Sequence, residues 1–279
     1  MQETITCKNC GNHFLGKYCN QCGEKVYSEK DKHLKHVFEE VFHFLTHFEG
    51  SFFTTLKTFI RYPGKLSADY CSGIRKKYFK PIPFFLMLVV LYLLFPKFKG
   101  LNMAAGTYVS SENSYTSYSV PVFKAKMKKH NASYAEIAKH YDETSPKVSK
   151  ISLLLLIPLC AIVLACLFIL RRKPFFDHFI LSAELLSFFI LTQFLFMPFL
   201  SFLVQKIAPQ FEYLFYDNSL LHILMDVLFA FFTVIAFRNF YKEKYWLSIL
   251  KAIIFLVVFT VGVRYIYYMV VFLLTMLFV

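Results

Sequence analysis

The sequence predicts an all-α, polytopic membrane helical bundle of about five spans, and three observations carry that prediction. Hydrophobic residues make up 57% of the 279 and charged residues only 18%, against roughly 25% charged in soluble chains. Aromatic residues reach 19%, with 35 Phe and 18 Tyr. Several apolar runs approach or exceed the ~20 residues a helix needs to cross a bilayer core. Nine Gly without a repeating triplet exclude collagen-like and low-complexity classes. The net charge of +13 points to an anionic partner, either nucleic acid or a membrane surface.

The predicted spans are 79–96, 151–170, 179–205, 220–238 and 247–277. The second is the cleanest, with no charge anywhere in it. The first is the shortest, an apolar run between Pro81 and Pro96 that suffices only with Tyr78 and Phe79 added. The last contains Lys251 and Arg264, and one long helix or two are both compatible with it.

Lys and Arg near span ends set orientation. Arg75, Lys76, Lys77 and Lys80 precede the first span, Arg171, Arg172 and Lys173 follow the second, and Arg238, Lys242 and Lys244 follow the fourth. With five alternating helices all three groups share one side. The expected location is therefore the bacterial inner membrane, with the N-terminus cytoplasmic and the C-terminus outside. The segment 97–150, rich in Lys, is then an outer loop, and long loops carry little weight in this rule. Within it Asn131-Ala-Ser133 is a helix-cap candidate between short helices. No apolar core of a cleavable signal is visible in the first 80 residues.

Four cysteines stand out at the N-terminus. Cys7 and Cys10, then Cys19 and Cys22, form two Cys-x2-Cys pairs, each followed directly by glycine, Gly11 and Gly23. Two such turns supply the closed four-thiolate shell of a structural zinc, and a knuckle turn often needs the positive φ that glycine tolerates. Residues 1–27 are thus expected to form a zinc ribbon whose folding depends on structural Zn2+. Two disulfides are the competing reading, disfavoured by the expected cytoplasmic location. Cys71, Cys160 and Cys166 read as apolar fillers.

The stretches CKNCGNHFLGKYCNQCG, EGSFFTTLKTFIRYPG and YCSGIRKKYFKP resemble a family of bacterial integral membrane proteins with an N-terminal zinc ribbon, a domain of unknown function. The matching positions are Glu49, Gly50, Thr55, Pro63, Gly64, Tyr70, Gly73, Arg75, Tyr78 and Pro81. In a second patch Asp177 and His178 match, while Glu184 stands where the family has His. The resemblance implies membrane location and zinc, and it brings no activity.

Residues 28–80 join ribbon to membrane domain (81–279). Between His33 and Phe48 the pattern is that of an amphipathic interfacial helix, with Leu34, Phe38, Val41 and Phe48 on its apolar face. His36, Glu40, His43 and His47 form the opposite stripe. It reads either as a metal- or pH-sensing array or, preferred here, as the wet side of a helix at the headgroup boundary. A second helix follows from Phe52 to Tyr62 and stops at Pro63-Gly64. With Arg75 to Lys80 this region forms a basic, aromatic collar suited to anionic lipids of the inner leaflet.

Ionisable residues inside spans are functional candidates by default. At about 1.5 Å per residue, Glu184 and Lys251 lie roughly 10 and 6 Å from the inner edge, and Asp226 and Arg264 share the outer level. The expected pairs are Glu184 with Lys251 and Asp226 with Arg264, with His222 beside Asp226, and Asp177 and His178 at the inner rim. Helix packing is their preferred role; a polar cavity for a headgroup, ion or proton is the alternative.

The leading expectation is a membrane adaptor or scaffold whose ribbon binds a cytoplasmic protein. A transporter, or a lipid-binding or lipid-modifying protein, is the alternative. Enzyme activity is the weaker expectation, because the polar groups split between leaflets and no HExxH, phosphate-binding glycine loop or GxSxG occurs. Nucleic acid ranks low as a partner, since the ribbon's few lysines are offset by Glu3 and Glu24.

Overall fold

The computed structural model describes residues 4–26, 52–93, 101–110, 115–208, 210 and 220–279. The described residues are mostly helical, with one two-stranded hairpin, which is the all-α class the patterning predicts. The interfacial helix expected over 33–48 lies outside the described residues. The chain divides into two compact units, Met1–Leu88 with Cys160–Leu256, and Val89–Leu159 with Val257–Val279.

In the first unit, β1 (Ile5–Thr6) pairs antiparallel with β2 (His13–Phe14) in the ribbon. Helix α1 (Phe52–Arg61) buries Thr55 and Phe59 and ends at Pro63-Gly64, where Gly64 has φ 77°. Helix α2 (Lys65–Cys71) starts directly after this turn. A Cβ at Gly64 would stand 2.5 Å from the carbonyl oxygen of Ala236. Glycine is therefore required there twice over, by the left-handed backbone and by the close approach of a neighbouring helix.

Helix α3 is Pro81–Leu93. Thr55 Oγ1 accepts the Phe79 amide at 2.6 Å, which ties the start of α3 back to α1. The unit's core is largely aromatic. Phe59 packs on Phe84 and Phe232, Phe188 stacks on Phe232 at 4.0 Å, and Phe168 stacks on Tyr241 at 3.5 Å. This is where much of the chain's excess Phe goes.

In the second unit, α4 (Ala105–Val109), α5 (Thr116–His130), α6 (Tyr134–Ser152) and the C-terminal α12 (Tyr268–Phe278) surround a core containing Tyr108, Tyr115, Phe123, Tyr141 and Phe272. The predicted cap is present: Asn131 is left-handed after α5, and Ser133 and Glu136 form a reciprocal capping box at the start of α6. The stretch expected as outer loop is thus mostly helical, because its apolar positions find the face of α12.

Among the described residues, four helices are long and apolar enough to cross a membrane: Tyr134–Leu167, Phe175–Ile207, Ile223–Tyr241 and Tyr245–Phe278. This is the make-up of a multi-pass membrane protein. Of the first expected span 79–93 are described, with the 13-residue α3 from Pro81 to Leu93, about 20 Å long, and 94–96 lie outside the described residues.

Two of these helices change pitch beside a proline. The first is α6, a 3-10 turn at Leu153–Leu155 and α7 (Leu156–Leu167) in one run. Pro158 offers no amide to Leu154 and its ring crowds that carbonyl, so the turn tightens there. The second is α8 (Phe175–Phe189), a π-helical segment Ile190–Phe196, and α9 (Met197–Ile207), with Pro198 just past the wide turn. Helix α10 is Leu220–Tyr241. The last run, α11 (Tyr245–Gly262), π-helical Val263–Tyr267 and α12, is one continuous helix. Along α11, Ile249, Ile253 and Val257 are about half-exposed, a stripe at i, i+4, i+8 suited to lipid contact.

Candidate metal centre and buried polar contacts

Two local turns of identical design build the cysteine site. The Cys7 amide donates to Asn12 O and the Gly11 amide to Cys7 O. In the second knuckle Cys19 donates to Glu24 O and Gly23 to Cys19 O. Each turn closes only with a left-handed residue at its fifth position, and Gly11 and Gly23 have φ 78° and 68°, as the sequence predicts.

The four Sγ atoms lie within 4.8 Å of one another, with Cys7 to Cys22 at 3.5 Å and Cys10 to Cys19 at 3.6 Å. These are far longer than the ~2.05 Å of a disulfide, and all four cysteines are free. A tetrahedron with metal–sulfur bonds of ~2.3 Å has sulfur–sulfur edges of ~3.8 Å, so the geometry fits a metal ion held by Cys7, Cys10, Cys19 and Cys22. The Cys22 and Gln21 amides point at Cys19 Sγ and lower its thiol to about 6; the Glu24 amide lowers Cys22 in the same way. At Cys10 the Asn12 amide acts in the same direction, but lost hydration and the three neighbouring sulfurs outweigh it and push the thiol up to about 12. Four sulfurs this close cannot all ionise without a cation between them. His13 faces away from a ligand role, its Nδ1 lying 3.0 Å from Thr6 Oγ1.

The ribbon rests on the segment after α2. Glu24, 6% exposed, accepts the Lys76 amide at 2.8 Å. The Lys76 ammonium donates to Cys22 O at 2.9 Å, and the Lys8 ammonium to Ser72 O at 2.9 Å.

Glu184, fully buried on α8, accepts the Gly64 amide at 2.7 Å and the Ser67 amide at 2.8 Å. It caps the N-terminus of α2, where free amides and the helix dipole favour an anion. The expected pairing of Glu184 with Lys251 is therefore incorrect. Lys251 instead meets Glu243 at 2.9 Å, and Arg171 grips the same carboxylate with Nε and Nη2, each at 2.9 Å. Depth along a span could align Glu184 with Lys251, but it could not reveal that a short helix outside the spans supplies two nearer donors. Lys251 also lies 4.1 Å from the Phe168 ring centroid. Arg171 holds the Glu243 carboxyl below its usual range, with Lys251 assisting.

Asp177 and His178 sit in the first turn of α8, 5% and 2% exposed. Asp177 Oδ2 meets the Lys173 ammonium at 3.4 Å, and Asp177 Oδ1 has no hydrogen-bond partner among the described residues. His178 Nδ1 lies 2.6 Å from the Tyr241 hydroxyl. Cys71, at the end of α2, borders Asp177; burial, then that negative charge, raises its thiol well above the usual range, which makes it inert.

Asp226 on α10 is exposed and accepts the Gln193 amide at 2.8 Å, from the π-helical segment. Arg264 belongs to the second unit; its side chain is exposed, and its carbonyl accepts the Tyr115 hydroxyl at 3.0 Å. His222 falls on α10, with its side chain outside the described residues. His36, Glu40, His43 and His47 lie outside them as well.

Sequence reasoning missed Glu243, Glu24 and Tyr241. Glu243 had a signal: it is the one acid in the run from Arg238 to Lys251, and such an isolated carboxylate among cations attracts them.

Over residues 49–93 the chain matches the model of a family described as protein of unknown function (DUF3667). No curated protein and no solved structure matches it. The matched stretch contains α1, the Pro63-Gly64 turn, α2 and α3, so the segment that Glu184 caps and the ribbon rests on is the part by which this chain is similar to that family.

Proposed function

We propose that this chain is an inner-membrane adaptor or scaffold whose N-terminal ribbon holds a structural zinc and binds a cytoplasmic protein. Four thiolates close the coordination shell, so the ion would supply folding energy and leave no position open for chemistry. The observation that carries the reading is the ribbon's surface. Leu15 and Tyr18 are 54% and 60% exposed, three positions apart in sequence, on a domain whose buried cluster among the described residues is Cys7, Phe14 and Cys19. Exposed large apolar groups on so small a unit suit a partner's surface.

The first unit supports the cytoplasmic placement. The Arg171–Glu243 pair, the His178–Tyr241 contact and the Cys71–Asp177 contact bring together three basic segments, 71–80, 171–178 and 238–244, as the orientation rule requires of segments on one side. Lys77 there is exposed and suits anionic lipid headgroups, beside Lys76, whose ammonium the ribbon engages. A transporter built on Glu184 and Asp226 loses half its basis, since both oxygens of Glu184 are engaged by backbone amides.

The test is affinity purification from native membranes of the intact protein, a Leu15→Ser/Tyr18→Ser variant and a Cys19→Ser/Cys22→Ser variant, with zinc measured on each. The expected result is a partner lost from both variants and zinc lost only from the second. A partner set unchanged by Leu15→Ser/Tyr18→Ser, or a bound lipid with no protein partner, overturns the adaptor reading.

A further inference from the structure

We infer that the ribbon is an intramolecular clamp, through which metal loading of the four cysteines is transmitted to the segment that leads into the membrane helices. The inference rests on the metal reading of the ribbon and goes beyond the partner reading.

Its basis is the dual use of one turn. In the second knuckle the Glu24 backbone closes the turn, its carbonyl taking the Cys19 amide and its own amide reaching Cys22 Sγ. The Glu24 carboxylate meanwhile takes the Lys76 amide, and the Cys22 carbonyl takes the Lys76 ammonium. Ligand geometry and docking geometry are thus set by the same three residues, Cys22, Gly23 and Glu24. Gly23 lies directly under the Lys76 ammonium, where a Cβ would displace it. The first knuckle adds a second attachment through Lys8 and Ser72.

On the other side the held segment is anchored in the bundle. It follows α2, whose N-terminus Glu184 fixes, and it runs into Phe79, whose amide Thr55 fixes. Between these anchors the amides of Ser72, Gly73 and Ile74 bond back to α2 and the Tyr78 hydroxyl donates to Asp69 at 2.9 Å, so what the ribbon holds is the middle of the stretch, at Lys76. A ribbon with so small a core unfolds without its metal. Both acceptors for Lys76 are then lost together, and a cationic segment is freed at the base of α3.

Hydrogen–deuterium exchange of the full-length protein in lipid nanodiscs tests this, with zinc content measured on every sample. Within peptides covering 72–80 the Lys76 amide, the one that Glu24 accepts, should exchange about tenfold faster or more after chelation, the scale of losing a hydrogen bond to a charged group, while peptides within 82–93 stay unchanged. Glu24→Ala keeps the four thiols and the backbone of the knuckle. It should keep its zinc and still release the Lys76 amide. Zinc present, with the Lys76 amide exchanging equally before and after chelation, overturns the clamp alone. A purified protein without metal overturns the metal reading and the clamp with it. Protection of the Lys76 amide that survives in zinc-loaded Glu24→Ala also overturns the clamp, since docking would then not depend on the knuckle.

Discussion

Glu184 accepts the Gly64 amide at 2.7 Å across 120 residues of sequence, and with its second oxygen it takes the Ser67 amide. A fully buried carboxylate thereby satisfies two donors of a short helix that has no side-chain cap of its own. Glu184→Ala leaves both amides buried and unpaired and should destabilise the protein by about 3 kcal/mol. Glu184→Gln retains one acceptor and turns an NH2 toward the other amide, so an intermediate loss is expected. Thermal unfolding in detergent reads both, and an unchanged melting temperature for Glu184→Ala would contradict the capping role.

Gly64 offers a sharper contrast. Its φ of 77° and the Ala236 carbonyl oxygen, 2.5 Å from where a Cβ would stand, leave no room for a methyl group on a backbone–backbone contact. Gly64→Ala should cost about 2–4 kcal/mol. Gly106, inside α4, has ordinary φ and nothing within 4 Å, so Gly106→Ala should be neutral or stabilise by a few tenths to about 1 kcal/mol. The same unfolding measurement on the two variants gives opposite signs if the close approach is real.

These two positions also show what the sequence could and could not reveal. Pro63-Gly64 is legible as a stop after α1, and the Cys-x2-Cys-Gly repeats are legible as knuckles, because each depends on neighbours within a few residues. Apolar runs likewise reveal helices, since lipid-length hydrophobicity is a local property. The partners of Glu184 and Lys251 are not legible. They depend on which faces of α8, α10 and α11 turn toward α2 and toward the 242–244 link, and depth along a span carries no information about facing. Short helices on either side of the Asn131–Ser133 cap are legible, but their extent over 115–152 is not, for a related reason: the mean polarity resembles a loop, and the apolar residues gain a helical face only against Phe272 and Met276.

Acid should weaken the Arg171–Glu243–Lys251 triad. Arg171, then Lys251, hold the Glu243 carboxyl below its unfolded value, which is near 4.3. The stabilisation is therefore complete above about pH 4.3 and is lost as pH falls through the lower folded value. The Arg171 side chain is 41% exposed, so solvent screens that arm, and about 2 kcal/mol at neutral pH is a suitable scale for the whole triad. The melting temperature of the native protein should exceed that of Glu243→Gln by a constant margin from pH 7 to about 5, and the margin should shrink below that. A margin that grows on acidification would contradict the assignment.

Thiol labelling separates a metal centre from a pair of disulfides. Cys71 and Cys160 are buried, and Cys166, although exposed, lies within the apolar helix Tyr134–Leu167, where a membrane-impermeant maleimide does not reach it. Cys7, Cys10, Cys19 and Cys22 are blocked while they ligate an ion. The native protein in sealed vesicles or nanodiscs should therefore take up almost no label. Adding a strong chelator without reductant should expose the four ribbon thiols together, because removing the ion unfolds both knuckles. If labelling instead requires a reductant and ignores the chelator, the cysteines are paired as disulfides and the metal centre is wrong. Peptide mapping completes the test: label appearing at Cys71 along with the four would mean that the end of α2 opens when the ribbon does.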